Sequence, residues 1–193
     1  MTQFAVRHLD HAEVTRRAGE LVDLYRAAYA EPPYNEGAEH VAAYAQRLAD
    51  ESSAAGFTLV AAELGEDLIG YAYGIPFAAD GWWTDADHEP AEVHGRPAFA
   101  VMEFIVRHDH RGRSVGTALM TALLAGRPEP YATLCANPAA LARQIYHRWG
   151  WRAVAMVHPP QMPPMDVLLL ELGEHMSSSA AANAAGGYKG NLG

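Results

Sequence analysis

Apolar and polar positions change their period several times along the chain, and each change marks an element. Residues 3–8 alternate as a strand does, after which Val14, Ala18, Leu21, Tyr25 and Ala28 recur at helical spacing. That helix should end at Glu31-Pro32-Pro33, because proline lacks an amide hydrogen and pushes the residue before it out of helical geometry. Residues 32–37 therefore read as a rigid, exposed connection, and Val41, Tyr44, Ala45 and Leu48 place a second helix beyond it. From residue 57 the period falls to two. Strands over 57–64 and 68–77, separated by Gly65-Glu66-Asp67, predict an antiparallel hairpin. Residues 79–97 have no period; long irregular stretches in compact domains are often functional.

Residues 99–106 are almost wholly apolar, as a strand covered on both faces must be, yet they contain Glu103. A helix follows with Val115, Ala118, Leu119, Ala122 and Leu123 on one face, closed by Gly126 and Pro128. A strand over 131–136 leads to Asn137-Pro138, which predicts an N-cap and first-turn proline for a helix ending at Trp149-Gly150. Strands over 151–157 and 165–172, joined by the proline-rich 158–164, complete an α/β domain. The expected domain spans 1–173. Residues 174–193, mostly Ser, Ala, Asn and Gly, read as a flexible low-complexity tail.

Composition narrows the partners. Half of the 193 residues are hydrophobic, enough for a core, and 14 Lys plus Arg against 23 Asp plus Glu leave a formal charge of −9. That sign disfavours broad docking on nucleic acid or anionic membrane and favours a cationic partner. Cys135 is the only cysteine, so neither an intramolecular disulfide nor a cysteine-built metal site is available. The first ten residues lack a basic stretch followed by an apolar run, and no apolar run approaches the roughly 18 residues that span a bilayer. The expected location is cytoplasmic.

Candidate chemistry concentrates at Arg111-Gly112-Arg113-Ser114-Val115-Gly116-Thr117, between a buried strand and an amphipathic helix. Amides at a helix N-terminus are unpaired donors at the positive end of the helix dipole, and two arginines add charge, so the loop should bind phosphate oxygens. It has no Lys followed by Ser or Thr and no Gly-x-Gly-x-x-Gly, which disfavours nucleotide hydrolysis and dinucleotide redox chemistry. Glu103 is read as alternating with Val101 and Ile105, where desolvation would raise its pKa toward that of a useful base. The other reading is a carboxylate paired with an arginine or exposed without catalysing. His108-Asp109-His110 reads as a solvated turn, and no metal is expected. Cys135 reads as a core thiol.

The element order and the loop resemble the GNAT family of N-acetyltransferases. Arg111 and Gly116 stand at positions of that family's (Gln or Arg)-x-x-Gly-x-(Gly or Ala) signature, with Ser114 where its first glycine usually lies. Serine's Cβ disfavours the positive φ that glycine tolerates. Asn137, Tyr146 and Trp149-Gly150-Trp151 are similar to the family's Asn…Tyr…Gly-Phe pattern. The resemblance implies a mixed, largely antiparallel sheet of about seven strands, splayed at its centre with helices on both faces, and acetyl-CoA as cosubstrate. It implies that Phe104, Ile105 and Val106 pair with the pantetheine arm, that a β-bulge there frees the Val106 amide for the thioester carbonyl, and that Arg111 through Thr117 hold the pyrophosphate. Asn137 would cap its helix and touch the pantetheine.

Transfer to an amine then needs a base, for which Glu103 is the candidate, and an acid for the thiolate, for which Tyr146 is the candidate against a plain core tyrosine. Tyr146 shares a helix face with Ala142 and Trp149 rather than Leu141 and Ile145, which would point it to the cleft. Tyr34 and Asn35 in the first connection and Trp82 and Trp83 in the acidic loop are candidate walls for a cationic amine, small molecule or peptide. The other reading of the second loop is a solvated acidic segment with its tryptophans tucked into the core. A homodimer is compatible with the resemblance. The rival functions are a non-catalytic acyl-CoA sensor on the same fold and a self-assembling scaffold with incidental cofactor binding.

Overall fold

The first helix begins at a capping box that the sequence carries as Asp10-x-x-Glu13. The Glu13 amide donates to Asp10 Oδ1 at 2.8 Å, and the Asp10 amide donates to Glu13 Oε2 at 3.2 Å. In this computed structural model residues 4–160 and 162–173 are described. The expected tail lies outside them. The elements are β1 (Ala5–Leu9), α1 (His11–Tyr29), α2 (Ala38–Glu51), β2 (Thr58–Leu64), β3 (Asp67–Phe77), β4 (Ala98–Val106), α3 (Val115–Leu124), β5 (Tyr131–Ala136), α4 (Leu141–Arg148), β6 (Arg152–Val157) and β7 (Met165–Glu171). A 3-10 turn at His108–His110 lies between β4 and α3.

The strands form one mixed sheet in the order β1-β2-β3-β4-β5-β7-β6, antiparallel at every pair but β4 and β5. Its two faces bury different clusters. On one, α3 and α4 cover Phe99, Val101, Phe104, Leu134 and Leu168; on the other, α1 and α2 cover Leu59, Tyr71, Tyr73 and Ile105. Burying each large apolar side chain contributes roughly 1.5–3 kcal/mol, so helix pairing to both faces is strongly specified.

The parallel pair is the weak seam. β4 and β5 are in register only through Ala98, Phe99 and Ala100 against Tyr131, Ala132 and Thr133, and then diverge. A bulge on β4 breaks its register with β3: Tyr73 pairs with Glu103, but Gly74 pairs with Val101, leaving Met102 as the extra residue. Alternation resets there. Met102 and Ile105 pack toward α1 and α2, and Glu103 meets side chains of the same two helices, while Val101 faces α3. Glu103 thus shares a face with Ile105 but not with Val101, a correction to strict period-two reading.

Two other expectations change. The helix after β5 begins at Leu141, not at Asn137, because Asn137 uses its Oδ1 and its carbonyl to accept the Ala139 and Ala140 amides in a turn ahead of α4. The 79–97 loop is ordered against the sheet. Ala86 bridges to Val157, the Asp87 amide donates to Met156 O at 2.9 Å, and Arg152 of β6 pairs with Glu92. It covers the outer strand β6, an edge that would otherwise offer unpaired backbone groups.

Candidate active site

At the N-terminus of α3, the amides of Gly112 through Thr117 donate to no acceptor among the described residues. The loop turns by placing Gly112 at φ 73° and Ser114 at φ 63°, so the serine adopts the left-handed conformation that its Cβ disfavours. A Cβ built on Gly116 stands 3.0 Å from Phe104 Cζ, which leaves little space for any larger residue. Six unpaired amides on a helix dipole make an anion cradle.

β4 presents an open backbone edge beside this cradle. The Arg107 amide donates to Ile69 O, so by antiparallel alternation the backbone groups of Glu103, Ile105 and Arg107 face β3, and those of Phe104 and Val106 face the gap left by β5. Arg111 Nε donates to Val106 O at 3.1 Å, and the Phe104 amide donates to Glu103 Oε1 at 3.2 Å. The bulge is at Met102 rather than beside Val106; the divergence of β5 opens the Val106 amide to the gap, while the Phe104 amide is taken by Glu103.

Glu103 lies where the bulge meets α1 and α2. Its side chain is 3% exposed; Oε1 also accepts the Tyr29 hydroxyl at 2.6 Å, and Oε2 pairs with Arg47 at 3.2 Å. Burial pushes its pKa up to about 7, against the opposing pull of Arg47 and then of the Tyr29 hydrogen bond. Tyrosines surround it. Tyr25 stacks on Tyr29 at 4.3 Å and on Tyr44 at 3.8 Å, and Tyr29 meets Tyr34 at 4.6 Å.

A cleft of about 600 Å³ joins these parts. The end of α1 and its connection supply Ala28, Tyr29, Glu31, Pro32, Pro33 and Tyr34; β4 supplies Phe104, Ile105 and Val106. The α3 loop supplies Arg111, Gly112, Ser114, Gly116 and Thr117, and α4 with its flanks supplies Ala140, Leu141, Ala142, Ile145, Arg148 and Trp149. A larger share of the cleft therefore comes from α4 than its tyrosine alone suggested.

The model of the acetyltransferase (GNAT) family matches residues 20–151, more than half of the sequence. The chain belongs to that family. No curated protein matches it. Among solved structures it is similar to a GNAT-family acetyltransferase from Desulfovibrio desulfuricans, at 15% identity and TM-score 0.64 over 89% of this chain and 100% of that one. It is also similar to PaiA N-acetyltransferase of Thermoplasma acidophilum, solved with coenzyme A, at 10% identity and TM-score 0.62 over 88% and 99% of the two chains. NAA60 of Arabidopsis thaliana, solved with acetyl-CoA, aligns at 14% identity and TM-score 0.58 over 88% and 99%. At these identities the likeness carries the GNAT fold.

Within this GNAT domain the sequence candidates separate. Phe104, Ile105, Val106, Arg111, Gly112, Ser114, Gly116, Thr117 and Tyr34 line the cleft; Arg113, Asn35 and Asn137 do not. Val115 turns its side chain into the core, so only its amide belongs to the loop. Trp82 and Trp83 also lie off the cleft, packed with Cys135 and Val154 over the β5-β7-β6 half of the sheet. Trp83 Nε1 donates to Thr133 Oγ1 at 2.9 Å, which ties it to β5. The tryptophans are tucked against the sheet.

Ala142 and Trp149 of the expected helix face line the cleft, but Tyr146 does not, and Leu141 and Ile145 line it as well. The Tyr146 ring lies about 6 Å from those of Phe104, Trp149 and Trp151. Its hydroxyl has no hydrogen-bond partner among the described residues, and burial raises its pKa. The Cys135 thiol is likewise pushed up, to about 12, by burial. His110 is buried beside Arg107, 2.6 Å away, so the turn before the loop is not fully solvated. Sequence reasoning missed Tyr29 and Arg47. Tyr29 continues the spacing of Tyr25 by one helical turn, but Arg47 has no signal that separates it from a surface charge.

Proposed function

We propose that this chain is an N-acetyltransferase that moves the acetyl group of acetyl-CoA to a primary amine of a small molecule or peptide by direct attack in a ternary complex. The observation that carries the reading is the open edge of β4, which runs from the amide cradle of α3 to the Glu103 carboxyl. The cosubstrate supplies an activated acyl thioester. The cleft fits it chemically: unpaired amides of 112–117 and Arg111 suit a pyrophosphate, and the Phe104 carbonyl and Val106 amide suit the amides of a pantetheine arm.

Each chemical demand has a candidate group. An alkylamine titrates near 10 and must lose a proton before it attacks, and Glu103, lifted to about 7, takes protons at neutral pH without binding them permanently. The Val106 amide at the gap polarises the carbonyl and holds the developing oxyanion. Tyr146 stays protonated at neutral pH, and its hydroxyl, near that of the cleft-lining Tyr34 and not committed elsewhere among the described residues, is the candidate donor to the leaving thiolate. Tyr34 contributes an aromatic wall for the acceptor, and the protein's acidity draws a cation.

The test is transfer of isotope-labelled acetyl from acetyl-CoA to a panel of primary amines, with n-butylamine, 1,4-diaminobutane, tyramine and a lysine-containing peptide among them. Label is expected in at least one N-acetyl product, and Glu103→Gln should lower its kcat about 100-fold at pH 7. Binding of acetyl-CoA with no transfer to any amine would overturn the enzymatic reading in favour of a sensor.

A further inference from the structure

The Glu103 carboxylate is separated from the cleft by its own partners. Its side chain is 3% exposed and it is absent from the cleft wall, whereas Tyr29 is part of that wall. Three donors reach the carboxylate: the Tyr29 hydroxyl and the Phe104 amide on Oε1, and Arg47 on Oε2. Of these, the backbone amide and the guanidinium can only donate. A hydroxyl donates and accepts at once.

We propose that Tyr29 is a catalytic proton relay, whose hydroxyl oxygen takes the proton of the acceptor amine from the cleft side while its own proton passes to Glu103 Oε1. The inference rests on the N-acetyltransferase reading and names the group that touches the amine. One N–H bond of the ammonium breaks as an O–H bond forms on Tyr29, and the original Tyr29 O–H bond breaks as one forms on Glu103. Tyrosine is neutral before and after, the carboxylate becomes a carboxylic acid, and no electrons leave the pair. The proton returns to bulk water between turnovers.

The surroundings hold the relay in place. Tyr25 stacks on one side of the Tyr29 ring at 4.3 Å and Tyr34 meets it at 4.6 Å, so the hydroxyl has little freedom to swing from Oε1. The ionisable groups facing Glu103 are Arg47 and Tyr44 from α2, Tyr25 and Tyr29 from α1, Tyr34 and Glu36 from the connection, Tyr71 and Tyr73 from β3, and Tyr146 from α4. Burial and the neighbouring carboxylate raise the Tyr29 pKa well above its ordinary value, so a free tyrosinate is not formed and both protons move together.

Tyr29→Phe keeps the ring stack and removes only the relay oxygen. With the full chain, acetyl-CoA and whichever panel amine accepts label, the variant should lose about 100-fold in kcat at pH 7 and keep its affinity for acetyl-CoA. The loss should shrink as pH approaches the amine's own pKa, where deprotonated amine is supplied by solvent. Mixtures of H2O and D2O separate a relay from a positioning role: wild type should show the curved dependence of two protons in flight and Tyr29→Phe a linear one. A variant with wild-type kcat, or a linear dependence in the wild type, overturns the relay alone. Transfer to no amine removes the underlying reading and the relay with it.

Discussion

Glu103 shows how much one residue can carry and how its behaviour depends on pH. Its pKa lies at about 7 in the fold against an ordinary 4.5, because burial disfavours the charge more than Arg47 and Tyr29 favour it. The folded protein therefore holds a proton that the unfolded chain has already lost. Its contribution to stability is fully present below about pH 4.5 and is lost as pH rises through 7, reaching a cost on the order of 3 kcal/mol above that. Glu103→Gln, neutral at every pH, should raise the melting temperature over wild type at pH 8, with the gap closing as pH falls toward 4.5. A pH-independent gap in calorimetry would contradict this account. The lone acid in an apolar run was legible as a residue needing a reason; its partners were not, because they arrive from α1 and α2 across a bulge.

At the scale of elements, α3 and α4 differ in how well local sequence describes them. The Arg111–Thr117 loop and α3 follow from local rules, since glycines, a strand end and an apolar stripe all lie within one segment. Ser114 is the local exception, a non-glycine residue at φ 63°. Ser114→Gly should relieve that conformation and raise stability by up to about 1 kcal/mol, reduced by glycine's greater freedom in the unfolded chain. Urea denaturation checks it, and a loss of stability would mean that the serine makes a compensating contact. For α4, Asn137-Pro138 was a sound cap signal that the chain uses for a turn instead, and the helix borders the cleft through Leu141 and Ile145 as well as Ala142 and Trp149.

Across the molecule, charge separates into two regions of opposite sign. Arg111 and the α3 amides suit an anionic group, while Glu36, Glu103 and the overall −9 suit a cation approaching from the other side of the gap. Attraction of that kind is screened over about 8 Å at physiological salt. For a cationic amine, kcat/KM should therefore fall as sodium chloride is raised, and for an arylamine, uncharged at neutral pH, it should fall less. Equal salt dependence in steady-state assays would remove long-range attraction from the account. The acidic 79–97 loop, which sequence alone offered as an acceptor wall, serves the whole molecule differently by covering the outer strand. Among the described residues no helix is long and apolar enough to cross a membrane.

The sequence by itself determined the α/β class, every strand and helix to within a few residues, and the glycine-bearing loop that opens α3, because each rests on periodicity and on conformational limits of proline, glycine and capping residues that act within one turn or one strand. Only the tertiary structure decided which side chains share a space. The bulge at Met102 sets the face of Glu103, the parting of β4 from β5 exposes the edge at Phe104 and Val106, and the packing of α1 against α2 brings Tyr29 and Arg47 to one carboxylate. These are contacts between segments 56 and 74 residues apart in the chain, and no local pattern encodes a distance between surfaces that meet only when the sheet is assembled.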